Sequence, residues 1–150
     1  SEELYSLMTS DELTLSVLEE TQWIEKMNTD PNGLLIIAEC DQQIVGMIDF
    51  TVGHRKRISH TGDFGMGVKR EFRGTGIGSA LLQVLLEWAE EHPKIEKVNL
   101  KVHADNKRAI HLYENFGFKK EGQLSKDLKY EDIQNGDRYV DTIIMAKFVS

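Results

Sequence analysis

The sequence predicts a layered α/β (α+β) fold, a mixed sheet with flanking helices, and three observations carry that expectation. β-rich or strictly alternating runs recur at residues 34–40, 44–52, 58–68, 97–103, 118–128 and 138–148. Two stretches of helical spacing, 75–92 and 106–116, stand between them. No repeat, low-complexity tract or linker breaks the order, so residues 1–150 read as one domain. Strands interleaved with helices bury their apolar faces against one another in layers. A chain of this length buries roughly 70% of its unfolded surface, enough for a core without disulfides or a structural metal.

Taken in order, residues 14–28 place Leu15, Val17, Leu18, Trp23, Ile24 and Met27 among acids, which predicts an amphipathic helix ended by a turn at Pro31, Asn32 and Gly33. No strand is readable before Leu15. Residues 34–40 and 44–52 are joined by the polar link Asp41, Gln42 and Gln43, a hairpin signal. Residues 58–68 read as a third strand, unusual for its glycines. Within 75–92, Ile77, Leu81, Val84, Leu85 and Trp88 form one apolar stripe, and Pro93 stops the helix. Val98, Leu100 and Val102 alternate with Lys97, Asn99, Lys101 and His103, the pattern of a half-buried strand. Asp105 is the expected cap of the helix over 106–116, with Gly117 suited to its left-handed exit. The last two strands flank a turn at Asn135 and Gly136.

Composition narrows the function. The net charge is −7, and it is uneven: residues 1–50 hold eleven acids against one base, Lys26, while the remainder holds fourteen acids and seventeen bases. The strong basic field of a nucleic-acid binder is missing, so no nucleic-acid partner is expected. The acidic half is either a solvated surface or a field that attracts cationic substrates. Cys40 is the single cysteine, and no Cys/His cluster has zinc spacing, so neither an internal disulfide nor a metal is expected. The acidic, polar start is unlike a signal peptide, and no apolar run approaches about 18 residues. The expectation is a cytoplasmic protein without a membrane partner.

The chemistry concentrates after the third strand. Arg73, Gly74, Thr75, Gly76, Ile77, Gly78 and Ser79 lead out of a strand and open an apolar helix. Glycines let a ligand approach the backbone, and amides at a helix start, with the positive end of its dipole, suit a pyrophosphate. Arg73 adds a forked cation. A nucleotide P-loop would end in Gly-Lys-Ser/Thr, which is absent, and a dinucleotide fingerprint would need glycine where Ser79 stands. Gly65 and Gly67 alternate with Phe64, Met66 and Val68 in the preceding strand, a sign of a bulge or close ligand approach.

Residues 66–79, centred on Arg73-x-x-Gly76-x-Gly78, resemble the acetyl-CoA signature of the GNAT N-acetyltransferase superfamily. A second match follows at Asn106, Ala109, Ile110, Tyr113, Gly117 and Phe118, so the likeness covers residues 60–120. The tail from Tyr139, Val140 and Asp141 to Met145 is similar to bacterial members that acetylate free amino acids or small amines. The resemblance implies a mostly antiparallel, GNAT-like acyl-CoA-binding sheet, lacking here the family's first strand at the N-terminus. It implies acetyl-CoA as cosubstrate, held by Met66, Gly67, Val68, Arg73, Gly74, Thr75, Gly76, Ile77, Gly78, Ser79 and Asn106. Tyr113 would face the thioester sulfur and protonate the leaving thiolate. The seven residues from Asn106 to Tyr113 turn about 700°, which returns to nearly the same helix face.

An amine attacks a thioester only when neutral, so a base is also needed. In the branch that acetylates ribosomal proteins a Glu stands at the position of Lys101, so that role does not carry over. Asp63 is the named candidate, with His60 and His103 as alternatives. The implied reaction is transfer from acetyl-CoA to the primary amine of a small molecule, an amino acid or a polyamine, by direct attack in a ternary complex. An acyl-CoA sensor without turnover, an N-terminal peptide acetyltransferase and a nucleotide binder remain open, as does a homodimer.

Overall fold

The computed structural model describes residues 13–16 and 33–150. Its strands form one seven-stranded sheet in the order β1-β2-β3-β4-β5-β7-β6. The strands are β1 (Leu13–Ser16), β2 (Leu34–Cys40), β3 (Gln43–Val52), β4 (Thr61–Val68), β5 (Lys97–His103), β6 (Lys119–Tyr130) and β7 (Arg138–Phe148). Two α-helices are described, α1 (Ile77–Glu91) and α2 (Lys107–Asn115).

Two sequence expectations change at the start of the chain. Leu13–Ser16 is a strand paired antiparallel with β2, so the helix predicted from Thr14 does not begin there. A strand therefore precedes β2, where none was readable and the family's first strand was expected to be missing. Four alternating residues are too short a signal against the acids and apolar spacing that follow them. The rest of that helix, and Pro31 and Asn32 of its turn, lie outside the described residues.

The hairpin between β2 and β3 forms as expected, although β3 begins at Gln43. Asp41 and Gln42 take φ of 50° and 64°, the left-handed pair of a two-residue turn whose twist matches its strands. The third strand begins at Thr61, because residues 56–58 form a short 3₁₀ turn and Ile58 is exposed. β5 falls on the predicted residues. The helix that follows is capped by Asn106, whose side chain accepts from Ala109 N at 3.1 Å. Asp105, the expected cap, instead pairs with Arg138 at 3.3 Å. Gly117 makes the left-handed exit with φ of 96°.

α1 lies over β2, β3 and β4 and seals the core. Leu81, Leu82 and Leu85 are fully buried there, and Trp88 meets Phe50 edge-on at 5.6 Å. Each such aliphatic side chain contributes about 1.5–3 kcal/mol through burial. Among the described residues no helix is long and apolar enough to cross a membrane.

All neighbouring strands run antiparallel except β4 and β5. That parallel ladder is short, running from Thr61↔Lys97 to Asp63↔Asn99. β4 continues to Val68 and β5 to His103 without pairing, so the sheet splays open between them.

Candidate active site

The splay leaves backbone groups of β4 facing a gap. Gly53 N–H donates to Thr61 O at 3.1 Å and Lys69 N–H to Val45 O at 2.8 Å, bracketing the unbroken β3–β4 register. Antiparallel pairing alternates, so odd-numbered residues of β4 bond toward β3 and even-numbered ones turn the other way. Phe64, Met66 and Val68 thus present their amides and carbonyls to the side that β5 has left. Val68 O is taken by Arg73 Nε at 3.3 Å, which ties the glycine-rich loop to the end of the strand.

That loop delivers the chain to the start of α1. Gly74 and Gly76 hold φ of 80° and 94°, a region costly for residues with a Cβ. Gly76 is the N-cap of α1 and offers no side chain to the first-turn amides, which remain available to an anion. A Cβ on Gly74 would run into the Arg108 guanidinium, so the glycine also admits a second cation from α2 beside Arg73. This donor set, two guanidinium groups and an uncapped helix start in a cradle that side chains would fill, fits a pyrophosphate-bearing cofactor.

β4, this loop and α2 enclose a cleft of ≈ 750 Å³. Of the expected cofactor residues, Met66, Gly67, Val68, Arg73, Gly74, Gly76, Gly78, Ser79, Asn106 and Tyr113 line it. Thr75 and Ile77 do not. The Thr75 hydroxyl donates to Phe72 O and braces the turn, and Ile77 is buried in the core. What Ile77 can offer the cleft is its amide. Asn106 has spent its carbonyl oxygen on the cap of α2, so its side-chain amide group is left to donate.

The cleft is also lined by Phe72, Arg108, Ala109 and Leu112, which the sequence reading missed. Ala109 and Leu112 could have been found, since both fall near the helix face shared by Asn106 and Tyr113. Nothing local marks Arg108, which joins the cleft because of how α2 sits over the loop.

Tyr113 also lines the cleft. It is 8% exposed, and its ring meets Phe64 at 5.7 Å and Phe118 at 6.1 Å, both edge-on. Phe64 and Phe118 meet at 5.8 Å, completing a triad that fixes α2 against β4. The Tyr113 hydroxyl has no hydrogen-bond partner among the described residues. Burial pushes its phenol above the usual value, so the proton is held through neutral pH.

Asp63 is not part of this cleft. Phe64 and Met66 face the helices, so Asp63, one residue earlier, is exposed on the opposite face of the sheet. It is the last residue of β4 paired with β5, at the point where the gap opens. The alternatives sit elsewhere. His60 lies before β4, its carbonyl accepting from Glu96 N at 2.8 Å and Lys97 N at 3.2 Å. His103 ends β5, its Nδ1 3.4 Å from the Tyr130 hydroxyl.

Comparison with known proteins agrees with this geometry. The sequence profile of the acetyltransferase (GNAT) family matches residues 2–118. The L-amino acid N-acetyltransferase AaaT of Escherichia coli (strain K12) is 33% identical over 125 residues, 83% of this chain and 74% of that protein. A crystal structure of a GNAT-family acetyltransferase from Streptococcus pneumoniae superposes with a TM-score of 0.77 at 28% identity, covering 85% of this chain and 73% of its own. An acetyltransferase structure from Salmonella typhimurium, yncA, solved with its cofactor acetyl-CoA, gives a TM-score of 0.78 over 93% and 95% of the two chains. At 15% identity, that last likeness is one of fold.

Proposed function

This chain belongs to the acetyltransferase (GNAT) family, and on that premise we propose that it transfers an acetyl group from acetyl-CoA to the primary amine of a small molecule. Free amino acids rank ahead of polyamines. The observation that carries the proposal is the cleft's composition: open β4 backbone, an uncapped helix start flanked by Arg73 and Arg108, and Tyr113 all line one cleft. The 33% likeness to an amino-acid acetyltransferase supports the ranking of acceptors.

When bound, acetyl-CoA supplies an activated acyl thioester. The amides of Gly76, Ile77, Gly78 and Ser79, with Arg73 and Arg108, hold the pyrophosphate. The edge of β4 at Met66 and Val68 aligns an extended, amide-bearing arm, and Asn106 donates to it from α2. Amides of β4 that face the gap are donors for the charge that grows on a carbonyl oxygen under attack. Tyr113 Oη gives its proton to the departing sulfur; the residue lines the cleft, its hydroxyl bonds to no described residue, and desolvation of the phenol keeps the proton in place. Asp63, across the sheet at the mouth of the gap, takes the proton of the incoming ammonium directly or through water. Cys40 is buried, and we place the enzyme in the reducing cytoplasm.

The test is consumption of acetyl-CoA against amino acids, polyamines and N-terminal peptides. Turnover with small amines, amino acids first, is expected. Acetylation of peptide N-termini alone overturns the small-amine assignment, and tight CoA binding without turnover on any amine replaces the enzyme with a sensor.

A further inference from the structure

The face of the sheet away from α1 and α2 carries a charge pattern of which the proposed acetyl-transfer chemistry uses only Asp63. On β4 this face shows Asp63, Gly65 and Gly67. Register places Asp49 beside Gly65 and Thr51 beside Asp63 on β3, and Asn99 beside Asp63 on β5. Alternation along β5 then puts Lys101 and His103 on the same face, beyond Asn99 and along the opened gap.

Among the described residues, the floor between these banks has no side chains. Gly65 and Gly67 stand where β4 has parted from β5, and a Cβ on Gly67 would meet no atom of the described residues within 4 Å. A small molecule coming to the gap from this face therefore meets backbone. One bank carries two carboxylates. Asp49 is held there because its Oδ1 accepts from Gly65 N–H at 2.9 Å, which leaves Oδ2 for another donor. The other bank carries the Lys101 ammonium. Lys97, on the same face, is committed to Glu121 at 2.9 Å, whereas Lys101 has no ion-pair partner among the described residues.

Acid on one side of a bare floor and an uncommitted cation on the other is the complement of a zwitterion. We propose that Lys101 determines acceptor specificity by binding the carboxylate of an α-amino acid whose ammonium is set between Asp63 and Asp49. This rests on the small-amine reading above and deepens it, because it separates the two acceptor classes. A polyamine would bring a second cation toward Lys101 and be disfavoured by like charge, so the same residue selects for one class and against the other.

The test measures kcat/KM on the full chain for leucine and for isopentylamine, the same molecule without its carboxylate. The wild type is expected to favour leucine. Lys101→Gln should lower the leucine-to-isopentylamine ratio about tenfold, mostly through the KM for leucine, the scale of one charge-assisted hydrogen bond. Lys101→Glu should lower it further, and Lys101→Arg should keep most of it. CoA affinity measured on each variant reports whether the opposite face has stayed intact. An unmoved ratio in Lys101→Gln, or equal losses on both acceptors through kcat, overturns the specificity role. A wild type that acetylates isopentylamine as well as leucine overturns it too, while acetyl transfer to small amines stands. No turnover with any small amine retires both readings.

Discussion

The two faces of the splayed sheet are made of different materials. On the helical face the cleft is largely backbone: the turned-out edge of β4, the left-handed Gly74 and Gly76, and the first-turn amides of α1. On the opposite face, the described groups beside the gap are mostly exposed strand side chains, Asp49, Asp63, Lys101 and His103, over a glycine floor. A backbone site constrains residue type tightly, since only glycine tolerates those dihedrals and that approach. A side-chain site on a strand constrains only the alternation. The faces should therefore respond differently to mutation.

The largest effect is expected where the helical face does depend on one side chain. Tyr113→Phe keeps the ring in contact with Phe64 and Phe118 and loses a hydroxyl that bonds to none of the described residues. Stability should change by about 1 kcal/mol or less, and CoA affinity should barely move. kcat should fall about 10²–10⁴-fold, the range of a general acid. The sign of its pH dependence follows from burial, which raises the phenol above its usual value near 10. The acid form is the working form, so the alkaline limb of kcat/KM should lie above that value and vanish in the variant. Near-normal turnover in Tyr113→Phe would reduce that residue to packing.

The next effect addresses the backbone half of the cleft. Gly76 is a poor place to test it, because its φ of 94° strains any replacement whatever the ligand does. Gly78 has ordinary dihedrals and lines the cleft, and a Cβ there makes ordinary contacts with Met66 at 3.5 Å and Leu112 at 3.7 Å. Gly78→Asp therefore adds a negative charge beside the helix start at little cost to the fold. CoA should bind at least about tenfold more weakly, on the order of 1.4 kcal/mol. Calorimetry of a folded variant with unchanged affinity would remove the pyrophosphate from this loop.

The contrast also explains what the sequence made legible. Glycines at 74, 76 and 78, the seven-residue spacing that puts Asn106 and Tyr113 on one helix face, and the alternation of β5 each follow from a local rule, and the structure has those glycines, Asn106 and Tyr113 lining one cleft and β5 on its predicted residues. The strand at Leu13–Ser16 was hidden, because four residues carry too little alternation to outweigh the helical spacing after them. The choice of Asn106 over Asp105 as cap was ambiguous, since both residue types serve; in the fold Asn106 caps Ala109 N and Asp105 meets Arg138, 33 positions away. Arg108 at the cleft and the pairing of Asp63 with Asn99 depend on tertiary placement, which no window of sequence contains.

The smallest effect is a near absence of one, and it discriminates between acceptors. Residues 1–50 carry eleven acids and one base, which is either a solvated surface or a field that draws in cations at low ionic strength, and salt tells the two apart. On the second reading a polyamine is steered by that field, and its kcat/KM should fall steeply as salt shortens the Debye length from about 30 Å at 0.01 M to about 10 Å at 0.1 M. A zwitterionic amino acid has no net charge for that field to act on. Once it reaches the gap, its two charges meet Asp63 and Asp49 on one bank and Lys101 on the other at short range, where salt screens least. Its kcat/KM should therefore stay nearly flat between those two ionic strengths. A steep salt dependence for leucine would mean that the acidic half acts on the ammonium alone and that Lys101 leaves the carboxylate unmet.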